Sequence, residues 1–127
     1  DTAGQEKYKS ITLNYYKNCN FAIIVFDLSN PDSLLEASYW INELKRIEPE
    51  TKYVLVGNKS DLTKQCQEED IIDFISNNQC QYMITSAKEN RGINELFQYV
   101  VEQCLIMELP ENLQKLENLN RKNKRCC

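Results

Sequence analysis

At 127 residues, 42% of them hydrophobic and 27% charged, with only 3 Gly and 3 Pro, the chain suits one globular domain and excludes a low-complexity linker. Its net charge of −4 is unevenly placed: Arg121, Lys122, Lys124 and Arg125 lie in the last seven residues with no acid among them, leaving 11 basic against 19 acidic residues, −8, over 1–120. That acidic body argues against nucleic acid as the main partner, no apolar run approaches the roughly 20 residues of a membrane helix, and no secretory leader pattern is present.

The first residue is Asp1, not Met, and the chain opens in mid-motif, as a fragment or a processed product would. In Asp1-Thr2-Ala3-Gly4-Gln5-Glu6 an acid is followed by a small-residue turn, where Gly4 permits close backbone approach to a ligand. Lys7 to Asn20 is polar with Tyr8, Ile11, Tyr15 and Tyr16 interspersed, and it predicts a loose helix. Phe21 to Phe26 is a continuous apolar run, the pattern of a strand buried on both faces, with Asp27 at its carboxyl end. Asn30-Pro31 starts a helix, with Asn as cap and Pro at the first helical position. Leu34, Ala37, Ile41, Leu44 and Ile47 give that helix one apolar stripe. Tyr53 to Val56 is a second strand. Glu68 to Ser76 predicts a second helix with Ile71, Phe74 and Ile75 on one face. Tyr82 to Thr85 is a short third strand leading into Ser86-Ala87-Lys88. Gly92 precedes a third helix, with Ile93, Leu96, Phe97, Val100 and Cys104 facing inward.

Strands alternating with helices imply a parallel sheet, and such sheets bind ligands outside the carboxyl ends of their strands. Asp27, Asn58 to Asp61 and Ser86 to Lys88 all fall there. An ionised Asp offers two acceptor oxygens and no donor. Guanine presents two adjacent donors, its ring N1–H and its 2-amino group, where adenine has an acceptor at the matching ring nitrogen. Asp61 at such a place would pair twice with guanine and reject adenine, by roughly 10⁴–10⁵ for sites built this way. Taken alone, Asn58-Lys59-Ser60-Asp61 reads more readily as a turn, with Asp61 capping a helix. Its company at the strand ends favours base reading.

The cysteines are Cys19, Cys66, Cys80, Cys104, Cys126 and Cys127, and there is no histidine. With no leader and no Cys-x-x-Cys pair, reduced thiols fit better than a disulfide framework or a zinc site. Beyond residue 108, Leu109, Leu113, Leu116 and Leu119 could stripe a short helix, but Pro110 and four asparagines oppose it. A flexible spacer is predicted, ending in the exposed thiol pair Cys126-Cys127, which taken alone reads as a redox-active or vicinal-disulfide pair.

In this order and spacing, Asp1 to Glu6, Asn58 to Asp61 and Ser86 to Lys88 resemble the Ras superfamily of small GTPases. Lys7 to Thr12, Tyr15-Tyr16-Lys17 and the terminal Cys126-Cys127 are similar to its Rab branch. The resemblance implies an α/β, three-layer P-loop NTPase-like fold with a mostly parallel sheet. Its N-terminal strands and phosphate loop are missing here, since no Gly-x-x-x-x-Gly-Lys-[Ser/Thr] occurs. Residues 1–108 would be a partial GTPase domain, and 109–127 a hypervariable tail with a basic cluster. The ligands implied are GTP and GDP with Mg²⁺. Asp1 would hold the Mg²⁺ through water, Gly4 would give its N–H to the γ-phosphate, and Gln5 would orient the attacking water, the role a glutamine has in Ras itself. Glu6, Lys7, Tyr8, Ile11 and Tyr15 would belong to a switch segment whose apolar groups meet effectors. Asn58 would tie the base loop together, Lys59 would lay its stem along base and ribose, and Asp61 would make the double contact. Ser86 would brace that loop against Asp61, Ala87 would give its N–H to the guanine carbonyl oxygen, and Lys88 would cover the other face. Cys126 and Cys127 would carry geranylgeranyl groups, two chains giving stable anchoring where one is marginal, with the basic cluster adding attraction to an anionic leaflet.

The partners implied are an exchange factor, a GTPase-activating protein, effectors, escort and GDP-dissociation-inhibitor proteins, and a membrane, at the cytoplasmic face of an intracellular compartment in vesicle transport. Three departures from the Rab pattern, Asn18, Phe21 and Ile84, touch neither guanine nor phosphate. The missing phosphate half implies activity in an intact parent and little in these residues alone. Two other readings stay open: a non-catalytic module that binds Rab partners and membrane, and a Ras-type signalling GTPase, against which Cys126-Cys127 and Tyr15-Tyr16-Lys17 speak.

Overall fold

In the computed structural model, which describes residues 16–108, strands and helices alternate: β1 Phe21–Asp27, α1 Pro31–Ile47, β2 Lys52–Asn58, α2 Glu68–Asn78, β3 Gln81–Ile84 and α3 Ile93–Met107. The strands form one parallel sheet in the order β1-β2-β3, the α/β arrangement the alternation predicts. Contacts divide the chain after Ile93 into two units, so the sheet, α1 and α2 belong together and α3 is described by itself.

α1 begins where the sequence places it. Asn30 is extended at φ −135° and its side chain accepts from Asp32 N at 3.2 Å, satisfying one of the donors a helix start leaves over. Pro31 takes the first helical position, Asp32 lies in the first turn and Lys45 and Arg46 in the last, so the charges complement the helix dipole. Leu34, Ala37, Ile41 and Leu44 are buried, and Ile47, the last member of the stripe, is half-buried. Asn30→Ala should lower stability by about 1 kcal/mol, read as a shifted urea midpoint at constant slope; an unmoved midpoint would remove the cap from the account.

Val54, Leu55 and Val56 of β2 are all buried, as a central strand of a parallel sheet requires. β1 departs from the expectation of burial on both faces. Among the described residues it pairs only with β2, and its Val25 is 55% exposed. The apolar run is continuous, but the face on which Val25 lies is left open, while Phe26 on the other face is buried. β1 and β2 contribute Phe26 and Leu55 to a core cluster with Leu34, Ala37 and Ile41 of α1 and Ile71 and Phe74 of α2, joined by Leu28 and Cys66 from the loops. Burial pushes the thiols of Cys66 and Cys80 up, so they remain protonated and inert.

α2 starts at Glu68, with Gln67 at its cap. Asp61 therefore caps no helix, which disposes of that alternative. The helix runs two residues past the predicted Ser76 and stops at Gln79, left-handed at φ 50°, whose N–H donates to Ile75 O. In α3, Leu96 and Ile106 are buried, while Phe97, expected to face inward, is 56% exposed. Phe97, Val101 and Leu105 form an exposed stripe of their own. Periodicity alone could not choose between two apolar stripes on one helix. No helix among the described residues is long and apolar enough to cross a membrane.

Candidate functional site

The three strands end at one edge of the sheet. Their register pairs Asp27 with Asn58, and Gly57 with both Phe26 and Ile84, so the loops that follow leave side by side. Gly57 lets this edge close. A Cβ there would lie 2.7 Å from Tyr82 Oη and 2.9 Å from Leu28 Cδ2. The Tyr82 hydroxyl beneath is buried, and burial pushes its pKa up to about 12.

Asn58 joins two of the loops through one atom. Its Oδ1 accepts from Thr85 Oγ1 at 3.1 Å and from Ala87 N at 3.1 Å. Backbone bonds run beside these: Leu28 N donates to Asn58 O at 3.0 Å, Thr85 N to Gly57 O at 2.9 Å and Ser60 N to Thr85 O at 3.1 Å. The chain then turns through Lys59, left-handed at φ 62°, with Leu62 N closing the turn on Lys59 O at 2.9 Å. Lys59 Nζ lies 2.5 Å from Asp27 Oδ2.

The turn sets Asp61 facing Ser86. Ser86, fully buried, donates from Oγ to Asp61 Oδ1 at 2.6 Å and accepts from Glu89 N at 3.2 Å. Lys88 Nζ stands 4.0 Å from Asp61 Oδ2, with its side chain 79% exposed. The Ser86 hydroxyl, aided by the Lys88 and Arg91 charges, holds the Asp61 carboxyl below the usual carboxylate range. At neutral pH, then, Asp61 is an ionised acceptor pair, one oxygen oriented by Ser86 and neither able to donate. Such a group is suited to pair with a planar ligand that carries two adjacent donors.

The loop bearing Ser86 to Lys88 is itself closed. Ser86 and Arg91 exchange two backbone bonds at 3.0 Å each. Asn90 at φ 52° and Gly92 at φ 69° make the turn. At Gly92 a Cβ would lie 2.5 Å from Ile84 O.

The structure thus brings together Asn58, Lys59, Asp61, Ser86, Ala87 and Lys88. Two of them are engaged differently from the simplest expectation. The Ala87 N–H is already held by Asn58 Oδ1, so a carbonyl oxygen approaching it would share that hydrogen. The Lys59 ammonium is held by Asp27. Asp1, Gly4, Gln5, Glu6, Lys7, Tyr8, Ile11, Tyr15, Cys126 and Cys127 lie outside the described residues. Among those described, no group of three or more His, Cys, Asp or Glu side chains could hold a metal ion. Sequence reasoning assigned no role to Gly57, Thr85 or Gly92. A glycine ending a buried apolar run was a usable signal for the first; a threonine bond spanning 27 residues left none.

The Ras family model matches residues 1–106. Ras-related protein Rab-21 of Geodia cydonium is 38% identical over 108 residues, covering 83% of this chain and 47% of that protein. GTP-binding protein ypt5 of Schizosaccharomyces pombe is 39% identical over 107 residues, covering 81% and 51%. Ras-related protein Rab-17 of Homo sapiens is 38% identical over 112 residues, covering 83% and 51%. The chain spans about half the length of these relatives.

Proposed function

This chain belongs to the Ras family and is of Rab type, and from that premise we propose that it supplies the base-reading and water-orienting part of a GTP-hydrolysing switch in vesicle transport. The observation that carries the reading is the Asp61 carboxylate, ionised, oriented by Ser86 at 2.6 Å and set on a loop that Asn58 ties to the Ser86–Lys88 segment. Guanine offers two donors to the two oxygens of Asp61. Asn58 and the Ala87 N–H border the same base edge, and the stems of Lys59 and Lys88 flank its faces. Gln5, with both a donor and an acceptor, orients water toward the γ-phosphate, yielding GDP and phosphate. Gly4 gives that phosphate a backbone N–H. Asp1 would hold Mg²⁺ through water, and the ion would supply charge neutralisation on the phosphates. The remaining phosphate contacts come from a part of the whole protein that these residues do not include.

The segment from Gln5 to Asn18 answers to the nucleotide and presents Tyr8, Ile11 and Tyr15 to effectors in the GTP state. Exchange and activating proteins set the cycle's rates. Geranylgeranyl groups on Cys126 and Cys127, with the basic cluster beside them, hold the protein to the cytoplasmic face of an intracellular membrane. An escort protein and a GDP-dissociation inhibitor handle the lipidated form.

Full-length protein should prefer GDP to ADP by on the order of 10⁴ in competition binding; comparable affinities would end the guanine reading. Gln5→Leu, which removes donor and acceptor together, should slow single-turnover GTP hydrolysis at least about tenfold while leaving GTP affinity within about twofold. Unchanged turnover would remove Gln5 from the mechanism.

A further inference from the structure

Lysine carries a strongly hydrated point charge on a flexible four-carbon stem. Lys59 has its side chain 53% exposed, and its Nζ lies 2.5 Å from Asp27 Oδ2. Asp27 is held at every polar atom. Its Oδ1 accepts from Ser29 N at 2.8 Å and Ser29 Oγ at 2.6 Å. Its N–H donates to Ser33 Oγ at 2.8 Å. Its carbonyl accepts from Asn30 N at 3.0 Å and the Cys66 thiol at 3.5 Å. Burial alone would raise its carboxyl pKa, but hydrogen bonds from Lys59 and Ser29 outweigh that and leave it below the usual value. Strand register sets Asp27 directly beside Asn58, one residue before Lys59.

An exposed ion pair between two mobile side chains is worth little. Here one partner has no freedom left, and the other has its backbone fixed in the left-handed turn at φ 62°. The lysine stem is pinned at both ends and spans the gap between the carboxyl ends of β1 and β2.

We propose that Asp27, on the guanine reading above, is a positioning residue for nucleotide binding: it holds the Lys59 stem in the place where it flanks the base. A stem ordered in advance spares binding the cost of immobilising it. That cost, for one rotamer-rich side chain, corresponds to up to about tenfold in affinity. Asp27 acts here through Lys59 and touches no part of the nucleotide.

The test is made on full-length protein loaded with GDP bearing a fluorescent ribose tag. Asp27→Asn keeps the side chain's size and an oxygen for Ser29, but drops the charge that holds Lys59. Nucleotide release should be faster by about threefold or more, up to about tenfold. Lys59→Met keeps the apolar stem and drops the ammonium; in that background Asp27→Asn should add nothing further. Ser29→Ala, a milder change that loosens the carboxylate without removing it, should speed release about two- to threefold, and again only with lysine at position 59. If Asp27→Asn speeds release as much with methionine at 59 as with lysine, Asp27 acts through the fold and the proposal is overturned. Slower or unchanged release overturns it as well. Asp61→Asn, run alongside, separates the two levels. If that change leaves the choice between guanine and xanthine nucleotides untouched, the guanine reading itself has failed. If it switches the base while Asp27→Asn is silent or additive, only the role of Asp27 has failed.

Discussion

Asp61→Asn in the full-length protein should exchange guanine for xanthine as the preferred base. The variant keeps an acceptor oxygen and gains a donor NH₂ in place of the second oxygen. Guanine then meets donor against donor at its 2-amino group. Xanthine, with an oxygen there and an N1–H beside it, meets one acceptor and one donor. Ser86 sharpens the exchange. Its Oγ donates to Asp61 Oδ1 at 2.6 Å, which keeps an oxygen at that position in the variant and turns the new NH₂ outward, to where Oδ2 stood near Lys88. The swap should cost guanine nucleotides on the order of 10⁴ in affinity, the size of discrimination that buried polar mismatches produce. Competition between GDP and xanthosine diphosphate for the same protein measures it. A variant that still preferred guanine would show that something other than Asp61 reads the base.

The second large effect is structural. Gly92 stands at φ 69°, and a Cβ there would lie 2.5 Å from Ile84 O. That oxygen belongs to the backbone at the end of β3, so no side chain can swing aside to make room. Gly92→Ala therefore incurs the left-handed penalty of an L-residue, about 1–2 kcal/mol, and a steric displacement of about 1–3 kcal/mol. A loss of roughly 2–5 kcal/mol in urea unfolding is expected from the two together. Elsewhere the same substitution would stabilise slightly by restricting the unfolded chain, so the sign is informative. The damage should reach the site, because Ser86 and Arg91 are bonded to each other just before this turn and Ser86 orients Asp61. GDP affinity should fall even under conditions where the variant is fully folded. A stability change within about 0.5 kcal/mol, the range of an ordinary surface substitution, would show that the turn relaxes around the new methyl group.

How much of this could be read from the residues depended on whether the signal was local. The start of α1 was legible because a cap, a proline and a first-turn acid are contiguous. The buried β2 run and the strand-end positions of Asn58 to Asp61 and Ser86 to Lys88 were legible for the same reason. The edge position of β1 followed from the missing N-terminal strands that would flank it. The exposure of Val25 did not, because which residues of an apolar run stay uncovered is decided by other segments. Phe97 was misplaced because α3 carries a second apolar stripe and the pattern does not rank them. In the site, the residue types were readable and their ties were not. Asp27 to Lys59 spans 32 residues and Asn58 to Ala87 spans 29. Nothing in the intervening sequence announces either pairing.

That last tie bears on how the site opens. A single oxygen, Asn58 Oδ1, receives hydrogens from both Thr85 and Ala87. The acceptor ends β2 and both donors follow β3, so neither segment can depart without stripping the other of its partner. Local openings of this kind occur in cooperative blocks. The two loops should form one such block: amide hydrogens at Ser60 and Ala87, far apart along the chain, are expected to exchange with solvent in the same event.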